Sequence, residues 1–184
     1  MKYCSQCGGR VEFRVPEGDN LKRFVCPDCG TIHYDNPRLV IGCVPEWGER
    51  ILLCRRAIEP RLGYWTVPAG FMEHGETTEE AAARETLEEA RARVAIEDAL
   101  AMVSMPDIGQ VHLMYRARLL EERFAPGPES LEVRLLRESE IPWEDLAFTS
   151  VRYALEVFFA DRRRGVREFH TTSAQKPPGQ RTTP

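Results

Sequence analysis

The chain has 184 residues, 42% hydrophobic and 29% charged, with a formal net charge of −4. That is length for one ordinary domain plus a small appendage, and the charge argues against broad attraction to nucleic acid or an anionic membrane surface. No apolar run approaches the roughly 20 residues that span a bilayer, and the N-terminus lacks a basic-then-apolar leader pattern, so a cytoplasmic protein is expected.

Residues 1–36 are rich in cysteine, glycine and charge. Cys4 and Cys7 in "CSQCGG", and Cys26 and Cys29 in "CPDCGT", form two Cys-x-x-Cys pairs with eighteen residues between them. In an intracellular chain this spacing favours metal over disulfide. Two tight knuckles donating four thiolates make a tetrahedral structural Zn2+ site, a zinc ribbon. So short a region has little core, and zinc would supply much of its folding free energy. Four cysteines complete the site, which leaves His33 a bystander. Cys43 and Cys54 lie inside apolar runs and read as small buried hydrophobes.

Residues 37–165 alternate strand and helix signals. "RLVIGCVPE" and "RILLCRR" flank the turn "WGE" and predict a hairpin. "GYWTVPAGF" is punctuated by glycine and proline. An acidic helix follows, then strands at "QVHLMYRARLL" and "LEVRLLR". "FTSVRYALEVFFADRRRG" reads as a closing helix capped by Thr149 or Ser150, with Val151, Leu155, Phe158 and Phe159 on one face and Gly165 as its stop. A mixed sheet flanked by helices, an α/β fold, fits this order. Residues 166–184 offer no apolar anchor in "HTTSAQKPPGQRTTP" and are expected to be a flexible tail.

The acidic helix lies in "GFMEHGETTEEAAARETLEEA", with seven glutamates in 21 residues. Thr77 and Glu80 form a capping-box pattern. At about 100° per residue, Glu85, Glu88 and Glu89 share one stripe, and Ala83, Leu87, Ala90 and Val94 fall opposite, as the expected docking face. A solvated acidic face satisfies that geometry too. Against it, the stripe lacks the interspersed lysines of a solvent face, and Glu85 and Glu89 repel at i, i+4. A hard divalent cation would relieve the repulsion.

The spacing of Gly70, five residues, Glu76, seven residues, Arg84-Glu85, two residues, Glu88-Glu89 resembles the box of the Nudix hydrolases, G-x5-E-x7-R-E-U-x-E-E-x-G-U with U aliphatic. Arg91 stands at the family's last glycine, and Thr86 and Ala92 at its aliphatic positions. The resemblance implies a Nudix α/β/α sandwich that hydrolyses a nucleoside diphosphate linked to another moiety. It implies that Glu85, Glu88 and Glu89 bind Mg2+ or Mn2+ with the Ala69 carbonyl, that Arg84 orients a glutamate, and that Gly70 and Glu76 support the loop and helix. In several relatives a glutamate on a later loop is the general base. "APGPESLEVR" offers Glu129 and Glu132, of which Glu132 is favoured because it begins a strand pattern.

A zinc ribbon before such a domain resembles the NADH pyrophosphatases, but their S-Q-P-W-P-F-P-x-S motif is missing after the box. "CGG", "NPRLVIGCV", "LLCRR", "GYWTVPAG" and "FAPGPESLE" are closer to the zinc-ribbon Nudix subgroup that includes the plant plastid FAD pyrophosphatase. That likeness implies hydrolysis of FAD to FMN and AMP, with ADP-ribose a second substrate. Arg55 and Arg56 end a strand and are candidate forks for the diphosphate. Trp65, Tyr64 and Phe71 are candidate stacking rings, with a core role equally open. A ligand-sensing module without turnover is the rival reading, disfavoured by the intact glutamates. Mixed charges in "RVEFRVPEGDNLKR" disfavour nucleic-acid binding by the ribbon, and a homodimer is left open.

Overall fold

The computed structural model describes residues 1–174. The chain forms two compact units, Met1–Pro37 and the part that begins at Arg38.

In the first unit, β1 (Glu12–Arg14), β2 (Arg23–Val25) and β3 (Ile32–His33) make a small antiparallel sheet. Its stability does not come from packing: of its residues only Cys4, Pro16, Val25 and Cys26 are buried. The knuckles are tight turns, with Gly8 N–H donating to the Cys4 carbonyl and Gly30 N–H to that of Cys26.

The second unit is built on one mixed sheet. The predicted hairpin is present as β4 (Arg38–Trp47) and β5 (Arg50–Arg56), but the strands pair only near their turn, at Glu46 with Ile51 and Trp47 with Arg50. Beyond that they splay. β6 (Trp65–Thr66) pairs with β5 and β7 (Ala69–Phe71) with β4, so the Gly- and Pro-punctuated segment fills the fork. Gly42 is required there, because a Cβ would lie 2.5 Å from the Pro68 carbonyl oxygen.

α1 (Thr78–Ala90) leaves the fork, followed by β8 (Val94–Met105), β9 (Gln110–Leu119), β10 (Ser130–Leu136), α2 (Thr149–Arg164) and β11 (His170–Ser173). The sheet order is β10-β5-β4-β9-β8-β11. Alternation along the strands separates two cores. Ile51, Leu53 and Met114 join α2 residues Val151, Leu155, Phe158 and Phe159, whereas Ile41, Cys43, Leu52, Cys54, Tyr115 and Leu119 pack with Ala81, Ala82, Ala90 and Ala92 on the α1 side. The architecture is the expected α/β/α sandwich.

Three expectations are corrected. Of the expected docking residues of α1 only Ala90 is buried: Leu87 is 48% exposed and Ala83 is half-buried, and the helix buries Ala81, Ala82, Glu85, Thr86 and Glu89 beside Ala90. Small side chains on that face let the helix approach β4 closely, where Thr86 Oγ1 meets Cys43 Sγ at 3.2 Å. α2 has Phe148 at its N-cap without a side-chain cap; Ser150 instead bonds His112 Nδ1 at 2.8 Å. Part of the expected tail is strand β11, parallel to β8. It is anchored by polar contacts rather than apolar ones. Residues 175–184 lie outside the described residues.

Candidate active site

The site grows from the way α1 begins and ends. Thr77 and Glu80 make the capping box, with both bonds present. Upstream, Arg84 binds Glu76 through Nε at 2.9 Å and Nη2 at 2.8 Å, and also donates to Glu85 at 2.7 Å, Glu88 at 3.0 Å and the Phe71 carbonyl at 3.1 Å. Glu76 further accepts from the Glu73 N–H at 2.6 Å. Arg84 and the Glu73 N–H hold the Glu76 carboxyl down at about 2. This clamp ties loop to helix and fixes two box glutamates through one guanidinium.

Gly70 is needed for closeness: a Cβ there would lie 2.3 Å from Glu85 Oε1. At the far end, the loop after β9 closes over the helix terminus. Ala125 N–H donates to the Ala90 carbonyl and Gly127 N–H to that of Glu89, both at 2.9 Å. A Cβ on Gly127 would lie 1.7 Å from the Glu88 carbonyl oxygen, a close approach that sequence reading passed over although "PG" marks the turn. Arg91 caps the helix in the left-handed region, φ 50° and ψ 25°, and its N–H donates to Leu87. It therefore takes the left-handed conformation that a glycine accepts without cost.

The electrostatics separate the three glutamates. Glu85 and Glu89 are 9% and 6% exposed, whereas Glu88 is exposed. Burial pushes Glu85 up, against the pull of Arg84 and with added repulsion from Glu88 and Glu129. Burial and then Glu85 push Glu89 up to about 8, opposed by the Ala69 N–H and Arg56. Two desolvated carboxylates that repel each other, beside a third, are the donor set a hard oxygen-seeking cation fits. Ala69 reaches this set through its N–H, 3.3 Å from Glu89 Oε2.

Other candidates divide. Glu132 pairs with Arg134 and sits opposite Arg55, on the sheet face away from α1. Glu129, although exposed, is the later glutamate whose charge acts on Glu85 and Glu89. Arg56 is 8% exposed, with Nε on the Pro60 carbonyl at 2.9 Å, and its charge reaches Glu89. Arg55 is exposed and holds the Gly63 carbonyl at 2.9 Å. Trp65 is a core residue at 8% exposure, within the α2-side cluster, so it presents no open face for stacking. Phe71, next to Gly70, is 46% exposed under the Arg38 guanidinium at 4.8 Å.

In the first unit, Cys4, Cys7, Cys26 and Cys29 bring four sulfurs within 4.8 Å of one another. The Cys4–Cys29 and Cys7–Cys26 sulfurs are 3.7 and 3.5 Å apart, close to the edge of about 3.8 Å that a tetrahedral Zn–S length of about 2.3 Å dictates. His33 Nε2 lies 3.3 Å from Cys4 Sγ, placed to donate to the thiolate rather than to replace it.

A fold of this kind, with clustered carboxylates on the last turns of a clamped helix, defines a metal-binding hydrolase class. The model for the NUDIX domain matches residues 36–158, and the zinc-ribbon model described as Nudix N-terminal matches residues 2–35. The chain belongs to the Nudix hydrolase family. The crystal structure of a NUDIX hydrolase from Nitrosomonas europaea is 52% identical and superposes with a TM-score of 0.89, covering 95% of this chain and 100% of that one. The NAD-capped RNA hydrolase NudC of Stutzerimonas stutzeri (strain A1501) is 27% identical over 88% of this chain and 57% of its own length. That of Vibrio atlanticus (strain LGP32) is 37% identical over 46% of this chain and 30% of its own. The chain thus spans between 30% and 57% of the length of these curated relatives. An ADP-ribose pyrophosphatase from Streptococcus suis shares the fold at 19% identity and a TM-score of 0.62, over 74% of this chain and 100% of that one. Among the described residues, no helix is long and apolar enough to cross a membrane.

Proposed function

We propose that the protein is a divalent-cation-dependent pyrophosphohydrolase that cleaves the diphosphate of a nucleoside diphosphate-X, with FAD, yielding FMN and AMP, or ADP-ribose as its substrate. The observation that carries this reading is the burial of Glu85 and Glu89 on the face of α1 that packs against the sheet, where they repel each other and feel the charge of Glu129. Burying repelling carboxylates costs stability unless a positive partner is supplied. Arg84 serves Glu85 but Glu89 has no guanidinium on its own helix to bind it.

Mg2+ or Mn2+ held by Glu85, Glu88 and Glu89 would neutralise charge growing on the diphosphate and acidify an attacking water. The chain's own residues do the rest. Arg84, anchored by Glu76, orients Glu85 and Glu88. Glu129 takes the water's proton as general base, a role its placement favours over Glu132. Arg56 presents positive charge at the Glu89 end for a phosphate oxygen, and Phe71 offers an exposed ring to a flat base. Zn2+ on the four cysteines holds the ribbon.

A second reading, hydrolysis of NAD(H) or NAD-capped RNA, is favoured by the NudC relatives, while the missing S-Q-P-W-P-F-P-x-S motif weighs against it. Product analysis with FAD, ADP-ribose, NADH and NAD-capped RNA in Mg2+, before and after Glu89→Gln, decides between them. Failure to cleave any diphosphate sinks the enzymatic reading.

A further inference from the structure

Arg56, the last residue of β5, is 8% exposed. Its Nε donates to the Pro60 carbonyl at 2.9 Å, and its Cζ lies 5.1 Å from the centroid of the Phe148 ring. Among the described residues it forms no ion pair, and no acceptor meets its two terminal nitrogens. The other buried arginine among them, Arg116, is 4% exposed and binds both Asp98 and Asp161. A desolvated cation ordinarily has such partners.

Phe148 is the N-cap of α2 and gives the helix no side-chain bond, where Ser, Thr, Asp or Asn would. Its ring packs on the α2-side core and lies against the Arg56 guanidinium instead. The chain before it is pinned, because Ala147 N–H donates to the Trp65 carbonyl at 2.8 Å. Backbone bonds tie Arg56 to the acidic helix as well. Ser130 pairs with Arg56, Ser130 N–H donates to the Gly127 carbonyl at 3.1 Å, and Gly127 N–H to that of Glu89 at 2.9 Å. Leu52 and Cys54 pack on the α1 side, and alternation along β5 sends Arg56 the same way.

We propose that Phe148 is a positioning residue for Arg56 and that the two make an anion fork for one phosphate of the diphosphate. The ring and the Pro60 carbonyl fix the plane of the guanidinium, and its terminal nitrogens are left to donate to phosphate oxygens. The proposal rests on the pyrophosphohydrolase reading, and the test keeps the two apart. Methylenediphosphonate, a diphosphate with an uncleavable P–C–P link, is titrated by calorimetry in Mg2+ into the full chain with its ribbon intact. Wild type, Arg56→Gln, Phe148→Leu and Phe148→Tyr are compared, alongside kcat, KM and Tm. Arg56→Gln should bind at least about tenfold more weakly. Phe148→Leu keeps apolar bulk but loses the π face, and should bind about fivefold more weakly. Phe148→Tyr should stay within about twofold of wild type. KM on the cleaved substrate should rise in step while kcat holds within about twofold. A Phe148 that only fills the core would move Tm and leave the affinity alone. Wild-type affinity in Arg56→Gln or in Phe148→Leu overturns the proposal, as does a folded Phe148→Tyr no better than the leucine variant. Should Phe148→Leu fail to fold, Phe148→Met carries the same comparison. A wild type that does not bind methylenediphosphonate also overturns it. A wild type that binds this probe but cleaves no diphosphate defeats the functional reading, while the titrations still decide Arg56 and Phe148.

Discussion

The two faces of the sheet each bury carboxylates, and they treat them in opposite ways. On the α2 face, Asp161 is 1% exposed. It accepts from the buried Arg116, from the Glu168 N–H at 3.0 Å and from His170 Nε2 at 3.0 Å. Burial alone would raise its carboxyl, but the Glu168 N–H, His170 and Arg116 outweigh it and hold the group below its ordinary range. On the α1 face, Glu89 has a backbone N–H at 3.3 Å and like-charged neighbours, and burial carries it up to about 8. Burial is common to both, so it does not mark a site by itself. What separates them is that Asp161 is paired directly with a guanidinium while Glu89 feels Arg56 only through its charge. Asp161 is a clasp that ties the segment at Glu168 and His170 to α2 and the sheet, and Glu89 has no such clasp.

The sharpest way to break this contrast is to neutralise each acid. Glu89→Gln should lower kcat/KM on the cleaved substrate by about a thousandfold, several kcal/mol of transition-state stabilisation, in steady-state assays with Mg2+. The fold should remain, and the metal-free protein should be no less stable than the wild type. Asp161→Asn should do the reverse. It removes one of the two carboxylates that the buried Arg116 binds, leaving Asp98 at 2.6 Å, at a cost of about 1–3 kcal/mol in chemical denaturation, with the kcat of the folded fraction close to wild type.

The pH dependence of stability should also split by face. The folded, metal-free protein keeps a proton on Glu89 above the ordinary 4.5 at which the unfolded chain releases it. Stability from this group is therefore full below pH 4.5 and is lost as pH rises toward about 8. Asp161 has a lowered folded value, so its contribution is present above the ordinary 3.8 and is lost at more acid pH. Melting temperatures of metal-free wild type, Glu89→Gln and Asp161→Asn across pH 3–9 check this. A wild-type Tm that is flat between pH 5 and 8, and unchanged by Glu89→Gln, would refute the first half.

The smallest effect belongs to the helix end that seals the site. Arg91 occupies the left-handed region, so Arg91→Gly should raise stability by about 1 kcal/mol, read as a higher denaturant midpoint with unaltered kcat. Gly127, which cannot take a Cβ beside the Glu88 carbonyl, should respond oppositely: Gly127→Ala should lower both.

Local chemistry was legible in the sequence. The two Cys-x-x-Cys knuckles, the Thr77–Glu80 cap, the Gly165 stop and the spacing from Gly70 to Glu89 are short-range patterns, and each appears where the spacing put it. β8 was not read, because its register slips twice between Ile96 and Ala101 and breaks the two-residue alternation. The docking face of α1 follows the helical wheel only at Ala90 and not at Leu87, because a wheel ranks faces by hydrophobicity. Alanine and threonine win this contact by being small. Likewise the wheel put three glutamates on one stripe, but whether that stripe met water or the sheet depended on the splayed β4–β5 fork, a pairing among residues distant in sequence. Where Glu132 and Trp65 sit was likewise decided away from their own neighbours in sequence, by one bulge and one core contact. What the sequence by itself determined was which groups are present and at what local spacing, since these follow from covalent geometry and hydrogen bonds within a turn or two. Only the tertiary structure decided which carboxylates are desolvated and which are matched, because that depends on what the far strands bring against them.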